Sequence, residues 1–312
     1  MRPRRIAFIN EKGGSGKTTL TANVACHFAV HHDLRVLAID MDPQGQLGKV
    51  LGVDVRRARQ SAIELLVDSV LHGPDAPSRA ARPESKLPII HTRIPNLDVV
   101  VANKALALFP AWSETERPLA GGADESTVFR LRRALSAAPQ LDGYDMVLMD
   151  APPSFGALTL NVLCACDELV VPVPLTYLAL DGCAALLDTI DLVRDRYAHS
   201  ELRISLVVPT FHRRTRLAAE VLEALRTRFP AEISKTVVGY HVRIDEAQSR
   251  GLSVFEYAPR DKGARVMEAI ADEILARAPQ SLGTSKPADA RRKLETTKRE
   301  REEARSEPQH RA

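Results

Sequence analysis

Lys12-Gly13-Gly14-Ser15-Gly16-Lys17-Thr18-Thr19 lies between an apolar segment, residues 6–9, and a helix-like segment, residues 20–30. A strand, a glycine-rich loop and a helix in that order form the setting that a phosphate-binding loop requires. Glycines let the backbone wrap closely around a polyphosphate, and the N–H groups of the loop and of the helix N-terminus attract its negative charge. In such a loop Lys17 reaches the β- and γ-phosphates, and the Thr18 hydroxyl coordinates Mg²⁺. The eight residues therefore predict a binding site for a nucleoside triphosphate and magnesium.

A second lysine, Lys12, precedes the glycine pair, whereas a standard loop of this kind carries only the lysine equivalent to Lys17. An additional cation in a tight loop is costly unless it meets an anion. We therefore expect both lysines to serve phosphate groups, and we treat both as catalytic candidates.

Acidic residues follow two of the apolar runs. Asp40 and Asp42 come after the second run, with a proline directly behind them, and Asp150 ends a later run. A carboxylate at a strand end, held by a rigid turn, can order water or Mg²⁺ beside a γ-phosphate. Asp150 is placed to act as the Walker B carboxylate, which holds Mg²⁺ through water. The sequence thus makes Asp42 a catalytic candidate, and the candidates for the metal are Thr18, Asp40 and Asp150.

Apolar runs rich in β-forming residues alternate with helical patterns along the chain. The predicted strands are residues 6–9, 35–39, 97–101, 146–149, 168–173 and 204–208, and the predicted helices lie near residues 17–31, 61–71, 126–138, 156–165, 178–197 and 215–229. This alternation is typical of an α/β fold, with a mostly parallel twisted sheet and helices on both faces. Ligands of such sheets bind at the carboxyl ends of the strands, so the motifs above converge on one site. The predicted fold class is the P-loop NTPase.

The net charge of +3 arises near the end of the 312-residue chain. Residues 286–312 contain nine Lys or Arg against six Asp or Glu, and the rest of the chain is balanced, 34 against 34. Any binding of nucleic acid by the body of the protein therefore requires a local patch. The last residues are too polar to fold alone. We predict an ATPase domain over residues 1–281 and a charged, disordered tail over residues 282–312.

Two further segments, residues 72–95 and 110–125, are rich in proline, glycine, alanine and charge, and we expect surface loops or insertions there. No apolar run reaches the roughly 18 residues of a membrane span. The apolar stretch that follows the basic residues at the start is too short for a signal peptide and passes directly into the glycine loop. These features predict a cytoplasmic protein with no membrane partner.

The two lysines resemble the deviant Walker A loop of the ParA/MinD family of dimeric ATPases, in which the equivalent of Lys12 reaches the nucleotide held by the other subunit. The segment from Asp40 to Gln44 resembles the switch I region of that family. There the position of Asp42 is needed for hydrolysis, and that of Asp40 supports the metal. Asp150-Ala151-Pro152-Pro153-Ser154 resembles switch II, and Pro209-Thr210 resembles the segment that contacts adenine. The resemblance covers about residues 4–280 and is strongest to ParA-type partition ATPases without an N-terminal helix-turn-helix.

This resemblance implies a switch that forms a homodimer on ATP binding and hydrolyses ATP slowly to ADP and phosphate. It also implies a ParB-like centromere-binding protein as the stimulating partner, and nonspecific DNA as the track for chromosome or plasmid partition. The protein would then associate with the nucleoid. Arg214 and Arg243 match DNA-binding arginines of the family, and Arg216 and Arg250 lie near them in the sequence. Arginines on adjoining surface elements neutralise phosphates without reading base sequence.

Two alternatives stay open within the family. One is a ParA-like ATPase that positions a protein cargo, and the other is a MinD-like cell-division ATPase that associates with a membrane. Membrane attachment of that kind needs an amphipathic helix, and residues 286–312 have almost no apolar face. An electron-transfer ATPase with the same loop would need cysteine ligands for an iron–sulfur cluster. The four cysteines of this chain lie away from the motifs where such ligands would be needed.

Overall fold

One sheet forms the centre of the molecule. Its strands are β1 (Arg4–Phe8), β2 (Val36–Asp40), β3 (Ile90–His91), β4 (Leu97–Val100), β5 (Met146–Asp150), β6 (Glu168–Pro174) and β7 (Arg203–Thr210). The computed structural model describes residues 2–67, 86–111, 125–177 and 179–277. Within these residues the strand order is β3-β4-β2-β5-β1-β6-β7, and all neighbours are parallel except β3, which is antiparallel to β4. The six predicted strands are all present.

Helices pack on both faces of this sheet. The α-helices of the described residues are α1 (Lys17–His31), α2 (Gln46–Val50), α3 (Glu64–Val67), α4 (Arg130–Ser136), α5 (Ala157–Ala165), α6 (Ala179–Arg196), α7 (Arg216–Arg228), α8 (Val242–Ser249), α9 (Val254–Tyr257) and α10 (Lys262–Ala276). Short 3₁₀ helices span Lys104–Leu108, Glu125–Phe129 and Pro139–Gly143.

The residues of β1 show how the two faces are separated. Successive strand residues point to opposite sides of a sheet, and every residue of β1 is buried. Ile6 and Phe8 join a core that includes apolar residues of α1 and α10. Ala7 joins a second core, to which α4, α5, α6 and α7 contribute. This two-sided burial confirms the predicted α/β fold.

The register of the central strands places their carboxyl ends side by side. Phe8 of β1 and Asp40 of β2 both pair with Asp150, the last residue of β5. The loop that follows β1 therefore lies next to both acidic strand ends. The glycine loop and the two acids, which are far apart in the sequence, thus lie together at one edge of the sheet.

Several elements differ from the sequence-based expectations. Residues 72–95 were expected to be a loop, but β3 lies within their described part and pairs with β4. A strand of two residues is too short to show an alternation of apolar and polar residues. Only its pairing with β4 therefore identifies β3 as a strand. Helix α10 is absent from the predicted set, although its buried positions 267, 270, 271 and 274 follow the helical period. Most of the 110–125 segment, the residues up to 85 of the 72–95 segment, and the tail at 282–312 lie outside the described residues.

Both lateral edges of the sheet are short or covered. The edge strand β3 has two residues. At the other edge, Val207 of β7 donates its N–H to Glu232 O (2.9 Å) and accepts from Ser234 N (2.8 Å). Val238 N donates to Pro209 O (2.8 Å), so an extended segment follows β7 along its outer side.

None of the helices in the described part of the chain combines the length and the apolar character that a membrane span requires.

At the amino ends of the strands, a buried ion pair joins β1 to β6. Arg4 donates to both carboxylate oxygens of Glu168, at 2.6 and 2.8 Å, and to Ile274 O of α10 at 2.9 Å. Both side chains are about 3 % exposed or less. Removing one member of a buried pair leaves the other charge uncompensated, which costs more than the pair itself contributes.

We therefore expect Glu168→Ala to lower the free energy of unfolding by about 3–5 kcal/mol, measured by urea denaturation. Arg2→Ala is the matched control, because Arg2 pairs with Asp167 at the same end of the sheet but is half exposed. Exposed pairs contribute about 0–1 kcal/mol. Equal losses in the two variants would contradict this account of the buried pair.

Candidate nucleotide site

The glycine loop leads directly into the first turn of α1. Gly14 and Gly16 have φ angles of 68° and 95°, a left-handed conformation that other residues rarely adopt. Gly16 is the N-cap of α1, no side chain caps its N–H groups, and the first turn contains no acidic residue. The first N–H groups of a helix have no partner within the helix and carry a partial positive charge. The loop is therefore built to accept an anion at this point.

Lys17 is buried inside this loop. Its Nζ donates to the carbonyl oxygens of Asn10 (3.0 Å) and Lys12 (3.2 Å). Burial lowers the pKa of Lys17, while the nearby carboxylates of Asp150 and Asp42 act in the opposite direction. A largely desolvated ammonium held by carbonyl oxygens gains from a further anionic partner.

Thr18 and Asp150 form the acidic side of the site. Thr18 Oγ1 donates to Asp150 Oδ2 at 2.6 Å. The other oxygen, Asp150 Oδ1, is buried and has no hydrogen-bond partner among the described residues. Burial raises the pKa of Asp150 to about 7, opposed by the bond from Thr18 and by the charge of Lys17. An orphaned carboxylate oxygen next to a hydroxyl is the donor set that a hard divalent cation such as Mg²⁺ prefers.

Asp40 and Asp42 take different positions in the turn after β2. The fully buried carboxylate of Asp40 accepts from Asp42 N and Leu47 N, both at 3.0 Å. Burial and the neighbouring Asp150 raise the pKa of Asp40 well above its usual value, and the two amide donors oppose this rise. Asp42 is half-buried and accepts from Gln44 N at 3.0 Å. Asp40 therefore organises the turn that presents Asp42.

Gly45 completes this turn. Its φ angle is 60°, and a Cβ atom there would lie 2.7 Å from Ala102 O. A larger residue would have to displace the backbone at that point. The geometry of the turn is thus fixed at both ends, by Asp40 and by Gly45.

Lys12 lies on the rim of the site rather than inside it. Its side chain is exposed, and Nζ donates to Thr176 Oγ1 (2.9 Å) in the turn after β6. Asn10 shapes the base of the same loop, because its side chain accepts from Lys12 N (2.9 Å) and donates to Pro172 O (2.7 Å). Neither Asn10 nor Thr176 was predicted as a site residue. Both residues belong to the site through contacts between segments that are distant in sequence. The spacing of residues along the chain does not reveal such contacts.

Thr210, predicted as a nucleotide-binding residue together with Pro209, touches the glycine loop. It ends β7, and its Oγ1 donates to Ser15 O at 3.0 Å. The next residue, Phe211, has a φ angle of 53°, an unusual conformation for a bulky side chain. Its ring lies over Gly16 and lines a cleft together with Thr19, Tyr240 and His241. This partly apolar cleft opens directly beside the glycine loop.

The four arginines predicted to bind DNA lie on two adjoining surface segments. Arg214 is exposed in the turn before α7, and Arg216 in the first turn of α7 bonds to Glu220 at 2.8 Å. Arg243 in α8 bonds to Glu246 at 2.7 Å, and Arg250, the C-cap of α8, lies over the ring of Tyr257. A bridge between His212 and Gly239 brings the two segments together.

Comparison with known proteins finds one matching family and several similar sequences. Residues 3–204 match the protein family described as an AAA domain. The chain is 36% identical over 278 residues to the sporulation initiation inhibitor protein Soj of Bacillus subtilis, which covers 87% of this chain and 98% of that protein. It is also 36% identical to the chromosome-partitioning ATPase Soj of Thermus thermophilus, over 88% of this chain and 96% of that protein.

A solved structure shows the same architecture. The cobyrinic acid a,c-diamide synthase of Mycobacterium smegmatis, with bound ATP analog and magnesium, superposes with a TM-score of 0.69 at 27% identity. The match covers 89% of this chain and 96% of the synthase.

Substitutions of Asp40 and of Asp42, the two acids of the turn after β2, should change the free energy of unfolding by different amounts. Asp40→Ala leaves the buried N–H of Leu47 and the partly buried N–H of Asp42 without an acceptor, and a buried unsatisfied group costs about 1–3 kcal/mol. We expect a loss of at least about 2 kcal/mol in the free energy of unfolding. Asp42→Ala is the control at the same turn, and its stability should stay within about 1 kcal/mol of the wild type because it loses one partly exposed bond. Urea denaturation of both variants tests this, and an equally stable Asp40→Ala would refute the role given to Asp40.

Proposed function

The chain belongs to the ParA/MinD family of P-loop ATPases, and we propose that it is a partition ATPase whose ATP-dependent dimer binds nonspecific DNA. In this proposal a ParB-like centromere-binding protein stimulates a slow hydrolysis of ATP to ADP and phosphate. The cargo is a chromosome, a plasmid or a protein complex carried over the nucleoid. Similarity to two Soj proteins, one of them named as a chromosome-partitioning ATPase, supports this assignment.

The ligands of the site are ATP and Mg²⁺. The synthase of similar fold holds an ATP analog and magnesium. Here the glycine loop and Lys17 would bind the phosphates, and Thr18 and Asp150 would hold the magnesium ion, with Asp40 behind them. In this proposal the cleft beside Phe211 and Thr210 would take the base. The orphaned oxygen of Asp150 fits this ligand, since a cation beside it would satisfy a buried charge.

The contrast between the two lysines of the loop is the observation that carries the proposal. Lys17 is buried and directed at the loop carbonyls, so it serves the triphosphate of its own chain. Lys12 is exposed on the rim and bonds to Thr176. A cation in that position can contact the nucleotide that is bound by a second copy of the chain. Thr176 then holds the Lys12 side chain before the dimer forms.

This arrangement links ATP binding, dimerisation and hydrolysis. Phosphoryl transfer is accelerated mainly by positioning and by neutralisation of the charge on the phosphates. If Lys12 of the second copy supplies part of that charge, the site of a lone protomer is incomplete and turns over slowly. Asp42, in the turn presented by Asp40, is the candidate that orients the attacking water. Loss of the γ-phosphate would then release the contact that holds the dimer.

We expect Lys12→Ala to abolish dimerisation in the presence of a non-hydrolysable ATP analogue while nucleotide binding remains measurable. Light scattering after gel filtration measures the dimer, and fluorescence of a labelled nucleotide measures binding. Lys49→Ala is the matched control, because Lys49 is an exposed lysine that bonds to Gln44 O near the same edge. An analogue-dependent dimer of Lys12→Ala would disprove the proposed contact.

The candidate DNA surface consists of the segments that carry Arg214, Arg216, Arg243 and Arg250. Arg216 and Arg243 bond to glutamates, which reduces the local positive charge, whereas Arg214 projects from the turn before α7. A dimer would place two such surfaces on one assembly. Binding through phosphates requires little sequence preference and depends steeply on salt.

Charge reversal at Arg214 should weaken binding of the analogue-bound protein to random-sequence duplex DNA. Each lost phosphate contact reduces the slope of log affinity against log salt by about 0.9. Fluorescence anisotropy at several salt concentrations measures both effects. Arg57→Glu, the same charge change at an 88% exposed arginine in the segment after α2, is the control. Equal losses in the two variants would indicate a bulk charge effect and contradict a specific DNA surface.

A further inference from the structure

A cluster of histidines and acids lies at the end of α1 that is remote from the glycine loop. His27, His31 and His32 occupy the last turns of α1 and its C-cap, and Asp272 and Glu268 face them from α10. Lys17 starts α1, so His27 and His32 lie about 15 and 22 Å from it along the helix axis, at a rise of about 1.5 Å per residue. This cluster is separate from the nucleotide site.

Three ligand atoms of the cluster converge. His27 Nε2 lies 3.4 Å and His32 Nε2 lies 3.1 Å from the same atom, Asp272 Oδ1. Each of the three residues offers a ligand atom within 4.8 Å of those of the other two. In a tetrahedral zinc site with bonds of about 2.0–2.1 Å, neighbouring ligand atoms lie about 3.3 Å apart. Two of the three distances therefore already match the edge of such a tetrahedron.

We propose that His27, His32 and Asp272 form a binding site for a divalent transition-metal ion, with Zn²⁺ as the best fit. Two imidazole nitrogens and one carboxylate oxygen suit zinc, cobalt or nickel, whereas Mg²⁺ and Ca²⁺ prefer an all-oxygen set. His32 and Asp272 are 29% and 55% exposed, so the ion can enter from solvent and water can complete its coordination.

The buried member of the set, His27, is held in a fixed orientation. The side chain of His27 is 3% exposed, and its Nε2 is directed at Asp272 Oδ1. The ring is also fixed in place, because it stacks on His31 at 4.7 Å and packs on Phe255 at 5.2 Å. A preoriented ligand lowers the entropic cost of binding an ion.

Occupancy would connect two helices of one core. His27 and His32 belong to α1 and its cap, and Asp272 belongs to α10. An ion that binds the folded but not the unfolded chain raises stability as its concentration exceeds the dissociation constant. Zinc should therefore raise the melting temperature of the protein without any nucleotide.

The test uses the untagged full chain, stripped with a chelator and titrated with ZnCl₂ by calorimetry in the absence of nucleotide. We expect one strong site in the wild type. Loss of a supporting residue around a metal commonly weakens binding about 10–100-fold, and we expect at least that loss in His32→Ala and in Asp272→Asn. Both side chains are partly exposed, so these variants should fold. With Co²⁺, the wild type should show visible ligand-field absorption that both variants lose.

His91→Ala is the matched control. His91 is 87% exposed and pairs with Asp98 at 2.8 Å, and within the described part of the chain this pair belongs to no three-ligand group. This variant should bind zinc like the wild type. The proposal is overturned if the wild type binds no stoichiometric zinc, or if His32→Ala and Asp272→Asn bind it unchanged. In that case Asp272 acts only as a hydrogen-bond acceptor for two imidazoles.

Discussion

Three adjacent parallel strands, β2, β5 and β1, end at the same level of the sheet, and the organisation of the nucleotide site follows from that alignment. Because Asp40 and Phe8 both pair with Asp150, the glycine loop emerges beside two acids without any further adjustment. A slip of one residue in this register would turn the side chains of a strand to the opposite face and separate the acids from the loop. The complete burial of these strands, in cores on both faces, is what makes such a slip costly.

The same alignment concentrates charges where water is excluded. Lys17, Asp40 and Asp150 are all buried, and burial moves the pKa of the lysine down and those of the acids up. Backbone groups compensate part of this cost, through the carbonyls that bind Lys17 and the amides that bind Asp40. A bound ligand can offset the rest of the cost of burying these charges. Such a site favours a ligand that brings charges of both signs, as a metal–phosphate complex does.

The sequence was most informative where chemistry depends on neighbours along the chain. The glycine loop, Asp40, Asp42 and Asp150 were all placed correctly beside one another, because parallel strands bring their carboxyl ends together. Contacts between distant segments were not accessible in this way. Thr176 meets Lys12 across 164 positions, and the side chain of Gln248 donates to Thr19 across 229. The strained backbone of Phe211 also has no sequence signal, since phenylalanine is a poor residue for that conformation.

The two lateral edges of the sheet limit the ways in which copies of the molecule can associate. An uncovered edge strand is a template on which a second chain can extend the sheet, which leads to aggregation or open-ended fibres. Here β3 offers two residues, and the backbone of β7 is already engaged by residues 232–238. Growth by strand addition is therefore disfavoured. Association through side chains and loops can be reversed when a ligand leaves, whereas a continuous backbone ladder between subunits would persist.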